Sequence, residues 1–436
     1  MAESPFTLED PVTLEDPVML EGPVTLEDIE RARPNVGRVA IRTPMFNSRV
    51  LSEHVGSRVV YKAENLQRTG SFKVRGVSNK LAALGDRARS GIVVASAGNH
   101  AQAAAFVAAQ LGVGCEVFMP AEASIAKSEA TIAYGATVHL GGEGIDDCLE
   151  MARARVAEAG TVLVHPFDDA AIIAGQGTLG LELVEDVPDL SCVVIPLGGG
   201  GLAGGIALAV KSLRPSVRVV AVQAASVAPF PASIAAGRPI EVSAAATLAD
   251  GISVKRPGEL TLPLISSYVD EVVTVGEDEI ADAMVLCLER AKLLVEGAGA
   301  VGVAALLSDR IQIDAGSSGT TVVVLSGGNV DTGLLAPAIR RHETRSGRRL
   351  VLFARMSDRP GQLARLLTCV GNSGANVWEV EHLREGFDLH VRENAVHLVL
   401  ETRNPAHARA VISDARAAGF DVDMVGHAYA GRDGDP

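Results

Sequence analysis

Between about residues 58 and 330, short β-branched runs alternate with stretches of helical periodicity. IVVAS (92–96) precedes an Ala-rich helix over 98–111, and CEVFMP (115–120) precedes a helix from Ser124. ATVHL (136–140) precedes a helix from Ile145, and TVLVHP (161–166) a helix over 169–185. CVVIPLGGGG (192–201) leads into a helix over 202–213, and RVVAVQA (218–224) follows. EVVTV (271–275) leads into a helix over 277–293, and TTVVVLSGG (320–328) closes the series. Such alternation implies an α/β fold with a parallel sheet covered on both faces. Ligands bind such sheets beyond the carboxyl ends of the strands. Three glycine-containing loops fall there, at 96–100, 198–201 and 326–329.

The pattern changes after a charged stretch containing Gly and Ser, 340–349, which reads as a linker. LVLFAR (350–355) is a strand, DRPGQLARLLTCVGNSGAN (358–376) a turn and helix, and VWEVEHL (377–383) a strand. AVHLVLET (395–402) is a strand, 405–418 a helix and FDVDMV (420–425) a last strand. This βαββαβ order suggests a small α+β, ferredoxin-like module. The tail after Gly426 is polar and reads as loose. At the other end, TLEDPV at 7–12 recurs at 13–18 and becomes MLEGPV at 19–24. Pro at every sixth residue forbids a continuous helix, so 1–24 reads as disordered. The fourth copy, TLEDIERAR from Thr25, lacks Pro and starts a helix, with Thr25 as N-cap and Asp28 three residues on.

Composition narrows the chemistry. The chain has 436 residues, 47% of them hydrophobic and only 3% aromatic, so its core is aliphatic. A formal charge of −14 repels nucleic acid phosphates, and the most basic stretch lies in the linker. Five scattered cysteines form no CxxC, which argues against disulfides or zinc and fits a reducing cytoplasm. No apolar run long enough to cross a bilayer is free of Gly, Pro or charge.

GGGGLAGG (198–205) follows a strand and opens a helix, so its amides and the helix dipole face an anion, most simply a phosphate. A dinucleotide site would place an acid at the end of the next strand, where this chain has Gln223. In SFKVRG (71–76), Lys73 opens a helical segment beside Phe72 and between Gly70 and Gly76. An apolar setting disfavours the lysine's charge and makes its amine a better nucleophile. In SAGNHAQ (96–102), Gly98 permits a tight turn, the amides of 97–100 are helix-start donors, and Asn99 and His100 carry polar ends toward a ligand. Alone, that loop reads as a simple N-cap by Ser96 or Asn99.

SFKVRG, SAGNHAQ, GGGGLAGG, VEGAGA (295–300) and LSGGN (325–329), in that order, resemble the threonine/serine dehydratases of the tryptophan-synthase-β-like class of pyridoxal-phosphate enzymes. The resemblance covers roughly 25–335. DRPGQL (358–363) and GAN (374–376) resemble an ACT regulatory domain. The implied fold is a two-lobed, fold type II catalytic region plus the ferredoxin-like module. Its large cofactor-binding domain would span 25–77 and 167–339, its small domain 78–166, and the ACT-like domain 350–427.

The resemblance also implies roles. Lys73 carries pyridoxal 5'-phosphate and takes the substrate α-proton. Asn99 bonds the cofactor's phenolic oxygen, and Gly198, Gly199, Gly200, Gly201 and Leu202 hold its phosphate. Ser326 bonds its ring nitrogen. Ser96 and the amides of Ala97, Gly98, Asn99 and His100 hold the substrate carboxylate. The implied activity is deamination of threonine, and of serine, at the first committed step of isoleucine synthesis. Arg359, Gly361 and Asn376 would contact an amino-acid effector such as isoleucine, in a dimer or tetramer. A catabolic dehydratase, a serine racemase and a non-catalytic amino-acid sensor are the alternatives. Position 97 is Ala where racemases place a second serine, which disfavours racemisation. Gln223, followed by an Ala-rich stretch, makes a poor hard-cation site, so no metal is expected. Glu296 reads equally as facing the substrate or as a solvated helix-start glutamate.

Overall fold

The computed structural model describes residues 23–314, 316, 318–384 and 389–425. The repeats over 1–22 and the tail from 426 lie outside the described residues. The chain divides into two compact units between Leu334 and Leu335.

The first unit holds two sheets. The larger has the order β1 (Met45–Asn47), β2 (Val59–Lys62), β10 (Thr320–Val324), β7 (Leu190–Pro196), β8 (Arg218–Ala224) and β9 (Glu271–Val275). Only the β1–β2 pair is antiparallel. The smaller runs β5 (Thr137–Leu140), β4 (Cys115–Met119), β3 (Ile92–Ala95) and β6 (Val162–Leu163), all parallel. Val193, Ile195, Val322 and Val324 form an aliphatic core with Ile206 and Val210 of the helix Gly201–Leu213. Burial of both faces explains why these strands read as unbroken apolar runs. The insertion of β10 between β2 and β7 matters most for the site. It delivers the 326–329 loop to the segment before Lys73, where the Phe72 N–H bonds the Ser326 carbonyl at 3.1 Å and Ser71 bridges Gly327.

Local sequence sets the entry to this unit. Thr25 caps the helix Leu26–Gly37 with a reciprocal Thr25–Asp28 capping box, as expected. Val24, expected within the disordered segment, is instead buried in one cluster with Ile29 and Leu264. It precedes the cap and meets the residue one turn in, the arrangement of a hydrophobic staple. The helix expected over 277–293 stops at Leu286 and continues as a π-turn, Cys287–Ala291, with Lys292 left-handed at φ 60°.

The second unit has four antiparallel strands in the order β12 (Asn376–Leu383), β13 (Glu393–Glu401), β11 (Arg349–Ser357) and β14 (Asp421–Met424). The helices Gln362–Asn372 and Pro405–Ala417 complete the βαββαβ order, and Leu366 and Val411 pack with Leu352 and Leu398. The stretch 340–349 is not an irregular linker. The helix Thr332–Arg345 runs through most of it and β11 begins at Arg349. Arg and Glu are good helix formers, so charges that look like a connector are a helix's polar face. The helix gives way to a turn at Gly347, left-handed at φ 68°.

Candidate active site

The helix Lys73–Leu84 begins at the lysine itself. Lys73 Nζ donates to the Pro166 carbonyl at 2.9 Å and lies 5.1 Å from the centre of the Phe72 ring. Part of the side chain stays accessible, as befits a cleft residue. Its ammonium is nevertheless crowded by protein, and burial pulls its pKa down to about 8 against the attraction of Glu296.

Pro166 leads straight to the tetraglycine turn. A Cβ on Gly199 would fall 2.3–2.4 Å from carbons of the Phe167 ring, and one on Gly201 would meet the Phe167 carbonyl at 2.9 Å. On the other side, Cβ atoms at Gly198 and Gly200 would meet Ile252 and Thr261 at 3.0 and 2.7 Å. Only glycine fits this cradle. Gly200, at φ 96°, is the N-cap of the helix Gly201–Leu213 and offers no side-chain cap to the helix-start amides. Thr261 Oγ1 bonds the Gly199 carbonyl at 2.7 Å, which turns the N–H of Gly200 the opposite way across the planar peptide. Leu202 is buried in the core, leaving its backbone for the turn.

The third loop is tied to the rest by amides. Asn99 Nδ2 donates to Glu296 Oε1 at 2.7 Å, and Asn329 Nδ2 donates to Asn99 Oδ1 at 2.8 Å and to the Thr69 carbonyl at 2.7 Å. The helix Asn99–Gln110 is capped by Gly98 without a side chain, so neither Ser96 nor Asn99 is its N-cap. Ser96 Oγ accepts the Gly98 N–H at 3.2 Å. The His100 side chain does not reach a ligand as expected. It is buried, its Nε2 faces the Val164 carbonyl at 2.9 Å, and burial lowers its pKa to about 3. Ser326 is 3% exposed, and its hydroxyl bonds no other described residue. Ala97 is half-buried against the smaller sheet's core.

Glu296 is not the solvated helix-start residue of one reading. It is 5% exposed, and burial, reinforced by Asp250, raises its pKa to about 7. Gln223 is fully buried and committed to the protein: its amide donates to the Leu197 carbonyl and its oxygen accepts the Phe230 N–H. No cluster of three His, Cys, Asp or Glu able to hold a metal occurs among the described residues.

Sequence reading missed a buried charge network behind the helix of Lys73. Arg75, 1% exposed, bonds Glu64 at 2.8 Å and Glu182 at 2.7 Å, and buried Lys62 joins Glu182 at 2.6 Å. Arg75, one helical turn before Ser78 and Asn79 on a helix that also carries Val74, Val77 and Leu81, was the available signal. In the second unit, Gly361 opens its helix at φ 85°, Arg359 is exposed, and Asn376 donates to Glu401 at 3.1 Å. An open groove of about 550 Å³ there is lined by Gly361, Arg365 and Asp414, but not by Arg359 or Asn376.

Glycines that a methyl would overfill, an uncapped helix start and a desolvated amine fit a phosphorylated aldehyde, which needs an anion cradle beside a nucleophilic amine. Comparison with known proteins agrees. Residues 37–327 match the family model described as pyridoxal-phosphate dependent enzyme. An L-threonine ammonia-lyase of Thermotoga maritima is 44% identical over 401 residues, covering 92% of this chain and 99% of that protein. A catabolic L-threonine dehydratase of Escherichia coli K12 is 42% identical over 306 residues, 70% of this chain and 93% of its own length. The structure of maize serine racemase superposes with a TM-score of 0.69 at 35% identity, over 73% of this chain and 98% of that one.

Proposed function

The chain belongs to the pyridoxal-phosphate-dependent enzymes and is a lyase that deaminates L-threonine, and we propose that Lys73 is the residue that carries its cofactor and its chemistry. The observation that carries this assignment is the Lys73 amine: desolvated, bonded to Pro166, and one residue away from the Phe167 ring that floors the glycine cradle. When bound, pyridoxal phosphate supplies an electron sink for the amino acid's α-carbon.

The protein's own groups do the rest. The amides of Gly198, Gly199, Gly200, Gly201 and Leu202 hold the phosphate at the start of a helix. The Ser326 hydroxyl would meet the ring nitrogen. A hydroxyl, unlike a carboxylate, does not force that nitrogen to stay protonated. Asn99 orients the phenolic oxygen, and Ser96 with the amides of 97–100 holds the substrate carboxylate. Lys73, as the neutral amine that burial favours, would take the α-proton. The β-hydroxyl takes up a proton, balanced by the α-proton that Lys73 removes, and leaves as water; the freed enamine tautomerises to an imine that water hydrolyses to 2-oxobutanoate and ammonia, or to pyruvate and ammonia from serine. Lys73→Ala should abolish both the bound cofactor's visible absorbance and turnover of L-threonine. Retained turnover removes the assignment.

The role we favour is the first committed step of isoleucine synthesis, in the cytoplasm, with feedback through the C-terminal unit and a dimeric or tetrameric assembly. The βαββαβ order of that unit supports it, as does the 92% of the chain that aligns with the Thermotoga maritima protein. The match to the catabolic dehydratase favours the second reading, a degradative enzyme. Assay of 2-oxo acid, ammonia and D-serine from L-threonine and L-serine, with and without millimolar isoleucine, separates them. Isoleucine should lower the rate or sharpen substrate cooperativity; no effect on either supports the degradative role, and D-serine would indicate racemisation.

A further inference from the structure

Among the ion pairs that cross between the halves of the first unit, which include Lys255–Asp146 at 3.8 Å, one lies close to Glu296. Lys127, on the helix Ile125–Ala133 beside the smaller sheet, bonds Asp250 at 2.6 Å. Asp250 opens the single helical turn Asp250–Ile252, which lies between β8 and β9 of the larger sheet in sequence. That turn leans on the candidate site: a Cβ at Gly251 would lie 3.5 Å from Glu296 Oε1 and 3.0 Å from the Ala298 Cβ. Glu296 also takes the Asn99 amide from the smaller sheet's loop at 2.7 Å. Two links therefore cross the cleft and end at one carboxyl group, Asn99 directly and Lys127 through Asp250. The charged groups that act on Glu296 are Asp250, Lys127 and Lys73; the β3 loop presents only the neutral Asn99 amide, and the 326–329 loop the backbone of Gly327. Asp250 opposes ionisation of Glu296, while Lys127 favours it. Lys127 also attracts Asp331.

We propose that Lys127 and Asp250 are positioning residues: their bond latches the smaller sheet's half of the unit over Glu296. The latch forms only when the halves approach, so closure and the proton on Glu296 are coupled. With Lys127 in place, the Asp250 charge is offset and Glu296 ionises more readily. When the halves part, Asp250 acts alone and Glu296 retains its proton.

This inference rests on the reading that Lys73 and Glu296 share the catalytic site. The test uses full-length protein loaded with pyridoxal phosphate. The cofactor's visible absorbance is followed against pH, and KM for L-threonine is measured in parallel. The wild type should titrate near pH 7, where Glu296 changes charge. Both K127M and D250N break the latch and should raise KM severalfold. Their titrations should move in opposite directions, K127M upward and D250N downward, each by roughly half to one pH unit. The exchanged pair K127D/D250K should recover KM and titrate below the wild type, because a cation then adjoins Glu296. Shifts of the same sign, no shifts, or an unchanged KM in both single variants overturn the latch. Failure of the wild type to develop cofactor absorbance would instead overturn the reading of the site.

Discussion

Replacing Gly199 by Ala drives a methyl into the Phe167 ring. The new Cβ would lie 2.3 Å from the ring Cγ and 2.4 Å from both Cδ atoms. Carbon atoms rest about 3.5–4.0 Å apart, so the ring and the turn must separate by about 1 Å or more. Neither is free to move. The Phe167 and Asp168 N–H groups bond His165 Nδ1 at 3.3 and 2.8 Å, and the Asp168 carboxylate accepts the N–H groups of Glu259 and Leu260 at 3.0 and 2.9 Å. The Gly199 carbonyl is pinned by Thr261 at 2.7 Å. Overpacking of this kind costs about 1–3 kcal/mol. If the turn yields, that cost appears as a loss of cofactor affinity of about 5- to 150-fold. Titration of pyridoxal phosphate into cofactor-free protein, followed by visible absorbance, measures it; melting of the cofactor-free protein shows whether Phe167 yielded instead. Gly204→Ala, three residues into the same helix, meets only the Leu264 side chain at 3.2 Å and should leave the affinity near that of the wild type. Wild-type affinity and melting in Gly199→Ala would show that this turn is not the phosphate cradle.

Two further outcomes follow from the charges. The rate at which cofactor-free protein takes up pyridoxal phosphate should rise with pH and reach half its maximum near pH 8, since only the neutral Lys73 amine is nucleophilic; a midpoint near 10, the ordinary lysine value, would contradict its desolvation. The sign for stability agrees: a lysine depressed from 10.5 contributes fully above that pH, and its contribution is lost as the pH falls through about 8, so melting of the cofactor-free protein should drop across that window. Arg75→Met would leave fully buried Glu64 and partly buried Glu182 without their guanidinium and should cost about 3–5 kcal/mol in chemical denaturation; a loss below about 1 kcal/mol would show that Lys62 suffices to hold both carboxylates.

How much of this was visible in the sequence depends on the range of the contacts. The loops at 96–100, 198–201 and 326–329 could be placed at strand ends because the parallel alternation forces every such loop to the same edge of its sheet. The alternation by itself read as a single parallel sheet, and only the family resemblance implied two lobes: β10 lies between β2 and β7 by pairing with strands more than 120 residues earlier. The three-residue β1 carries too little pattern to announce itself. His100 was read as pointing to a ligand because its loop does. Its ring instead turns inward to Val164, 64 residues later in the chain. Glu296 was undecided between two surroundings, and what decides it is a bond to Asn99, 197 residues away. Arg75 illustrates the converse: a charge on a buried helix face requires partners, and the partners, Glu64 and Glu182, are supplied by separate elements.

The same burial gives the site a property that no motif states. An ordinary lysine and glutamate differ in pKa by about 6 units, so moving a proton from one to the other costs about 8 kcal/mol. Here burial lowers Lys73 to about 8 and raises Glu296 to about 7. The gap shrinks to about one unit, and the same transfer costs about 1.4 kcal/mol. With Lys73 as the proposed base, a carboxyl that exchanges its proton in the same pH range lies within its field. Each group also favours the other's charge, so the two titrate together. Glu296→Gln removes the attraction that holds the proton on Lys73, and should therefore lower the midpoint of cofactor uptake below pH 8 while leaving the glycine cradle intact. An unchanged midpoint would mean that Lys73 does not sense Glu296, an upward shift that the sign of their interaction is wrong, and either would remove the physical basis of the narrowed gap.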